Sequence, residues 1–439
     1  MPIKRKEKIT MKLDYKRTIL VGFAFFLISA FWQAYDTIVP LILTNKFEMQ
    51  QTWSGLIMSL DNIFAVILLP IFGTLSDKTR TPIGKRTPYI TFGCILAAIF
   101  ISTLGFASNV IWFIVLLLAC LLSMATFRSP AVALMPDVTV KPLRSKGNAI
   151  INLMGTAGGM LVLGLSIVFK TNAEGKTDFT AYLFTVGYVM LIALIVFLFT
   201  VKEPKWSREA EKKNAELDSA AEANAENAGE KPAGNSLSRS EFISLILILA
   251  SVALWYIGYN AVTSKYSVYA TEVLKVPYNV TLLVAQGAAI ISYIPVGIVA
   301  TKLGRKKTIL AGVAMLTAAF GAAAFIKEGT PAIVMYILFS LAGIGWATIN
   351  VNSFPMVVEL AKRGDVGKYT GFYYTASMAA QIVTPIFSGF LVDKLGWWVF
   401  FPYAAIFAGL AFVTMFFVKH GDAKPEAQGA LESLAGGDD

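Results

Sequence analysis

Histidine occurs once in these 439 residues, as His420, and cysteine twice, as Cys94 and Cys120. No disulfide framework and no Cys/His metal cluster can be assembled from that set, so no metal site is expected. An enzyme would want a nucleophile–base set or a metal centre, and no histidine lies inside an apolar run. Charge is also scarce: 15% of the chain is Asp, Glu, Lys or Arg, against about a quarter in soluble proteins. Hydrophobic residues fill the difference, at 56%.

They come in blocks. Twelve runs stand out, at roughly 18–43, 54–76, 88–107, 110–135, 146–169 and 179–201, then 242–264, 278–301, 308–326, 332–356, 370–391 and 397–418. About 20 apolar residues cross a bilayer core as a helix, and runs this long are not barrel strands. The prediction is an all-α polytopic membrane protein with twelve transmembrane helices. The basic start before the first run resembles a signal peptide, but the run is too long and lacks a small-residue cleavage site. The first helix is expected to be retained.

The net charge of +10 raises nucleic acid as a partner, and its distribution argues against that. With both termini inside, the outer loops hold Lys46, Lys170, Lys176, Lys265, Lys275, Lys327 and Lys394, and Arg128 lies within a span. The other thirty of the 38 Lys and Arg fall in inner segments. This is the positive-inside bias. It predicts an integral, multi-pass protein of the cell (plasma) membrane with cytoplasmic termini and the lipid bilayer as its surroundings.

Residues 202–240, rich in Ala, Glu and Asn, read as a mobile cytoplasmic linker or a short surface helix. They divide the chain into a six-helix half at 1–201 and another at 241–420, with a disordered cytoplasmic tail at 421–439. The halves repeat weakly. "GTLSDKTRTPIGKRTPYI" after the second span parallels "GIVATKLGRKKTIL" after the eighth, and "PDVTVKPLRSKGNAI" parallels "PMVVELAKRGDVGKYTG". Two such halves joined by an inner loop match the major facilitator architecture.

The first of these turns carries a signature. Gly73 permits close helix approach, Pro82 and Gly84 shape the turn, and Asp77 can pair with basic residues of its own loop or cap a neighbouring helix. With Arg86, Asp137, Arg144 and Glu359 these form the expected cytoplasmic gate; the plainer reading is an ordinary basic inner turn. The usual major facilitator pattern is Gly-x-x-x-Asp-(Arg/Lys)-x-Gly-Arg-(Arg/Lys). The longer spacing from Asp77 to Gly84, followed by Lys85, Arg86 and Pro88, resembles the sucrose transporters and the wider glycoside–pentoside–hexuronide:cation symporters. "SPAVALMPDV" and "RSKGNAI" resemble them too. Where those proteins have Gly-Pro-Ala-Arg, this chain has Ser129 and Val132, with Arg128 one turn earlier on the same face. The resemblance implies sugar uptake coupled to a proton or sodium, with no cofactor.

Three charges fall inside spans, where each costs roughly 2.5–3.5 kcal/mol and usually serves a cavity or a partner. Asp36 and Asp61 lie at matching depth, about 12 Å below the outer surface, and Arg128 about 13 Å above the inner one. Either carboxylate is a candidate cation-coupling site, with Arg128 as its counter-charge or as a substrate donor; Thr37 and Asn62 could add sodium ligands. A structural ion pair or a capping carboxylate is the alternative. Sugar recognition calls for amides and aromatic faces, and the candidates are Gln33, Tyr35, Trp255, Tyr259, Asn260, Trp346, Asn350, Tyr373, Tyr374 and Gln381. In "GTAGGMLVLG" of the fifth span, glycines indicate close helix packing and the Gly-Pro frequent in drug antiporters is absent. The expected function is symport of a disaccharide or glucoside such as sucrose or maltose. The alternative is a drug or metabolite exporter. A sugar sensor would usually add a soluble domain. A monomer suffices, since one chain holds both halves.

Overall fold

The computed structural model describes residues 12–169, 179–225, 237–360 and 366–422, and among them there is no strand. The helices are α1 (Tyr15–Leu41), α2 (Gln51–Lys78), α3 (Thr87–Thr103), α4 (Val110–Val138), α5 (Arg144–Val168) and α6 (Phe179–Thr200). The polar α7 (Glu203–Ala225) follows, then α8 (Arg239–Val268), α9 (Tyr278–Leu303), α10 (Arg305–Ala323), α11 (Ala332–Val358), α12 (Val366–Leu395) and α13 (Phe400–Phe416). All but α7 are long and apolar enough to span a bilayer, giving twelve spans in a multi-pass membrane protein. Their starts follow local chemistry: Asp14 caps α1, Asn109 caps α4, and Ser238 with Glu241 forms a capping box on α8.

One apolar cluster is drawn almost entirely from α1–α6 and a second from α8–α13. Across the seam α1 meets α8, α5 meets α9, and α2 meets α12. The face carrying the start of α1 and the end of α13 is here termed the terminal face. At the opposite face α2 and α12 cross so closely that a side chain on Gly55 would run into the Pro385 carbonyl, and one on Gly389 into Gln51. Toward the terminal face they diverge around a gap of about 730 Å³, bounded by Pro70, Gly73 and Asp77 on one side and Gly371, Tyr374 and Met378 on the other. The seam is closed at one face and open at the other.

Of two terminal-face segments, the first takes the helical one of its two expected forms and the second departs from expectation. Residues 203–225 form a helix docked under the first half. Arg17 pairs with Glu209 at 2.8 Å and lies 4.6 Å over the Trp206 ring, while Lys141 N donates to Asn214 Oδ1 at 2.8 Å. Gly421 and Asp422, placed in the expected tail, pack back on the second half: Asp422 accepts from Lys306 N at 2.8 Å. The rest of that tail and linker residues 226–236 lie outside the described residues.

Candidate functional site

A cavity of about 440 Å³ lies between the halves. Residues at helical spacing turn one face of each helix toward it: Gln33, Asp36 and Thr37 on α1, Tyr256, Tyr259, Asn260 and Thr263 on α8, and Gly343 and Trp346 on α11. Gln381 of α12 also reaches it. Tyr259 and Trp346 stack with ring centres 3.6 Å apart and planes 3° from parallel, a rigid aromatic wall. From α9, Gln286 Nε2 donates to Gln33 Oε1 at 2.5 Å, bridging the halves. Glycines make the room. Gly155 lies against Ser29 and Gly158 against the Phe26 carbonyl, holding α5 close to α1.

Asp36 stands free in this space. More than a third of its surface is accessible, though the cavity is enclosed by helices, and among the described residues it has no hydrogen-bond or ion-pair partner. Asp61 and Arg128 face a separate void of about 10 Å³, roofed by Trp32. Asn62 Nδ2 donates to Asp61 Oδ1 at 2.7 Å, and the Arg128 guanidinium lies 5.3 Å over the Trp32 ring. Trp32 borders both spaces. Asp36, Asp61 and Arg128 are thus within electrostatic reach of one another, although only Asp36 meets the cavity.

Five residues expected at the substrate site lie elsewhere. Tyr35 is buried among Phe31 and Trp32, with its hydroxyl 3.5 Å from the Met58 carbonyl. Trp255 is fully enclosed in the second-half core. Asn350 is buried one turn beyond Trp346, and Tyr373 shares a 2.9 Å hydrogen bond with Ser353. Tyr374 instead borders the gap between α2 and α12.

The terminal-face cluster is a network within the first half. Buried Arg86 donates to Asp137 at 2.8 Å, to the Gly73 carbonyl at 3.4 Å, and to Ser76 and Asp77; Lys85 adds an ion pair to Asp137 at 3.2 Å. Arg144 donates to the Pro136 carbonyl at 2.9 Å and the Thr139 carbonyl at 3.3 Å, satisfying the end of α4. Gly84 has φ +121°, and its missing side chain leaves room for the Glu203 carboxylate. That carboxylate accepts from the backbone N–H groups of Lys85, Arg86 and Thr87 at 2.7–2.9 Å and from Thr87 Oγ1 at 2.7 Å. In the second half, Arg305 pairs with Glu359 at 2.7 Å, and Asp422 sits against Gly304 as Glu203 sits against Gly84.

The opposite face does join the halves. Asp393 of α12 caps α2, accepting from Gln51 N at 2.8 Å, Thr52 N at 2.7 Å and Thr52 Oγ1 at 2.5 Å. Lys265, assigned from sequence to an outer loop, is buried in α8, and its Nζ donates to the Gln51 carbonyl at 3.0 Å. Sequence reading missed this lock, though a signal was there: Gly389, Asp393, Lys394 and Gly396 repeat the spacing Gly-x-x-x-Asp-Lys-x-Gly. It also missed Asn152, Gln286 and Glu203. The first two stand out only as amides within largely apolar runs.

Comparison with known proteins fits this geometry. A family model described as MFS/sugar transport protein matches residues 20–366. An uncharacterised MFS-type transporter of Methanocaldococcus jannaschii is 23% identical over 407 residues, covering 92% of this chain and 95% of its own. Among solved structures, a mutant of the peptide transporter POT bound to alafosfalin superposes with TM-score 0.68 at 14% identity, covering 92% of this chain and 93% of that one. A mutant of the nucleoside transporter NupG gives 0.63 at 15%, covering 91% and 98%. A bacterial homologue of the human lysosomal transporter Spinster gives 0.64 at 14%, covering 93% and 97%. At these identities the structural likeness is one of fold. A twelve-span bundle with a polar cavity between its halves, matched by the family model over most of its length, belongs to the MFS/sugar transport protein family of the major facilitator superfamily, and the chain is an MFS-type membrane transporter.

Proposed function

We propose that this transporter imports a sugar, a disaccharide or glucoside, by symport with a proton through alternating access. Its place is the cell membrane with cytoplasmic termini, which makes the open terminal face the inward one. The observation that carries the reading is the unpartnered Asp36 carboxylate in a cavity walled by the Tyr259–Trp346 stack and by side-chain amides. Aromatic faces suit the C–H faces of sugar rings, and amides suit their hydroxyls. The family description and the lengthened turn between Asp77 and Gly84 point to the same substrate class.

A bare carboxylate in a low-dielectric cavity is costly to leave uncompensated. Loading a cation on Asp36 neutralises it, and Arg128 and Asp61, within electrostatic reach behind Trp32, set how strongly it is held. Substrate and cation together then let the halves rock about the cavity, with the gap between α2 and α12 closing as the opposite face opens. A cavity of about 440 Å³ falls within the usual range for small-molecule sites.

The test is sugar-driven proton movement in proteoliposomes containing a pH-sensitive dye, with sucrose, maltose, trehalose, melibiose and xylose offered outside. Acidification with one or two of these, lost in Asp36→Asn, supports the proposal. Movement of sugar with sodium instead replaces the ion. Silence across the panel, with or without sodium, overturns sugar symport and favours the exporter reading.

A further inference from the structure

Asn152 of α5 lines the cavity and is more than nine-tenths buried, yet neither its Oδ1 nor its Nδ2 has a partner. Because both atoms are unspent, this holds whichever way the amide is turned. A buried amide left unpaired costs free energy for each missing bond, which a fold normally avoids. Nearby groups are committed elsewhere. Thr156, one turn on, donates its hydroxyl to the Asn152 backbone carbonyl at 3.0 Å, while Gly155 and Gly159 bring no side chain to the same face.

Across the seam the same condition recurs. Gln286 gives its Nε2 to Gln33 and leaves Oε1 buried without a partner, and Asn260 leaves Nδ2 so. Three helices from both halves that line one cavity therefore carry unspent amide groups at its wall.

Resting on the sugar reading above, we infer that Asn152 determines substrate specificity by holding two adjacent hydroxyls of one sugar ring. One hydroxyl donates to Oδ1, and its neighbour accepts from Nδ2. Gln286 Oε1 accepts from a third hydroxyl on the other side of the ring. A planar amide offers a donor and an acceptor side by side, which a vicinal diol matches. A carboxylate ligand would use only the donor and would face Asp36; an ammonium would use only the acceptor. A nucleobase or peptide edge could also pair with one amide, but unspent groups on three helices call for a ligand that is polar around its rim.

The experiment measures sugar binding to the purified full-length protein by calorimetry, using the five-sugar panel and monodeoxy analogues of whichever sugar binds. Two variants are compared: Asn152→Leu removes both partners, and Asn152→Asp keeps the shape but replaces the donor. The expected result is a tenfold or greater loss of affinity in both, with the unliganded melting temperature of Asn152→Leu at or above wild type. The deoxy analogue lacking a hydroxyl of the pair should bind wild type weakly and lose little further in Asn152→Leu. Undiminished sugar binding in Asn152→Leu overturns the inference while leaving sugar transport standing. So does a deoxy analogue that loses the same factor in both proteins. If wild type binds no sugar of the panel but does bind a dipeptide or a nucleoside, both the inference and the sugar reading fall.

Discussion

Removing the Asp393 carboxylate should open the face opposite the termini. Asp393 accepts three hydrogen bonds, two from backbone N–H groups in the first turn of α2 and one from Thr52 Oγ1. Those N–H groups have no partner within their helix. Losing a side-chain N-cap costs about 0.5–2 kcal/mol, and losing its charge at the positive end of a helix about 0.3–1 kcal/mol more. The cap and the capped helix belong to different halves, so the loss of about 2 kcal/mol falls on the closed seam rather than on either half. That is roughly a thirtyfold shift in the open-to-closed ratio. The assay uses a Cys94→Ser/Cys120→Ser background carrying Thr263→Cys, which places the only thiol in the cavity wall. A membrane-impermeant maleimide added to the side opposite the termini should label Asp393→Ala at least ten times faster than the parent. Asp393→Asn, which keeps an acceptor, should fall between. Lys265→Met, which strips the Gln51 carbonyl of its donor, should also speed labelling. An unchanged rate in Asp393→Ala would refute the reasoning.

Three further outcomes are expected. Gly55→Leu should abolish uptake with helix content by circular dichroism unchanged, because a side chain there blocks the approach of α2 to Pro385. Glu203→Ala should lower the melting temperature in detergent, since it strands the first N–H groups of α3 at a cost of about 2–3 kcal/mol; Glu203→Gln should cost less. Arg128→Lys should reduce uptake despite keeping the charge, because an ammonium cannot reproduce the planar contact over Trp32. Equal uptake in the two proteins would remove Arg128's geometry from the mechanism.

The spans were legible because apolar length is a one-dimensional signal that the bilayer imposes directly. So was the pairing of Asp77 with a basic residue of its own turn, which the structure shows to be Arg86. Which face of a helix meets the cavity was not legible. These helices are apolar on nearly every face, so sequence gives no rotational phase: Asp36 enters the cavity while Tyr35 beside it is packed away, and Tyr259 enters while Trp255 one turn earlier does not. Asp393 and Glu203 were invisible for another reason. Their partners lie more than a hundred residues away in sequence, and a cap read from sequence is sought within a few residues of its own helix.

The paired placement of Glu203 against Gly84 and of Asp422 against Gly304 means that each half is fastened shut by the residue at which the chain leaves it. Glu203 is bonded to the start of α3 before the chain runs on through α7, and Asp422 to the start of α10 after the last span. Neither knot uses a residue of the other half. The two bundles are therefore separately finished objects on one covalent chain, which keeps each near its mate at high local concentration. Partnership between them is decided at the seam itself, where it can be made and broken with every cycle.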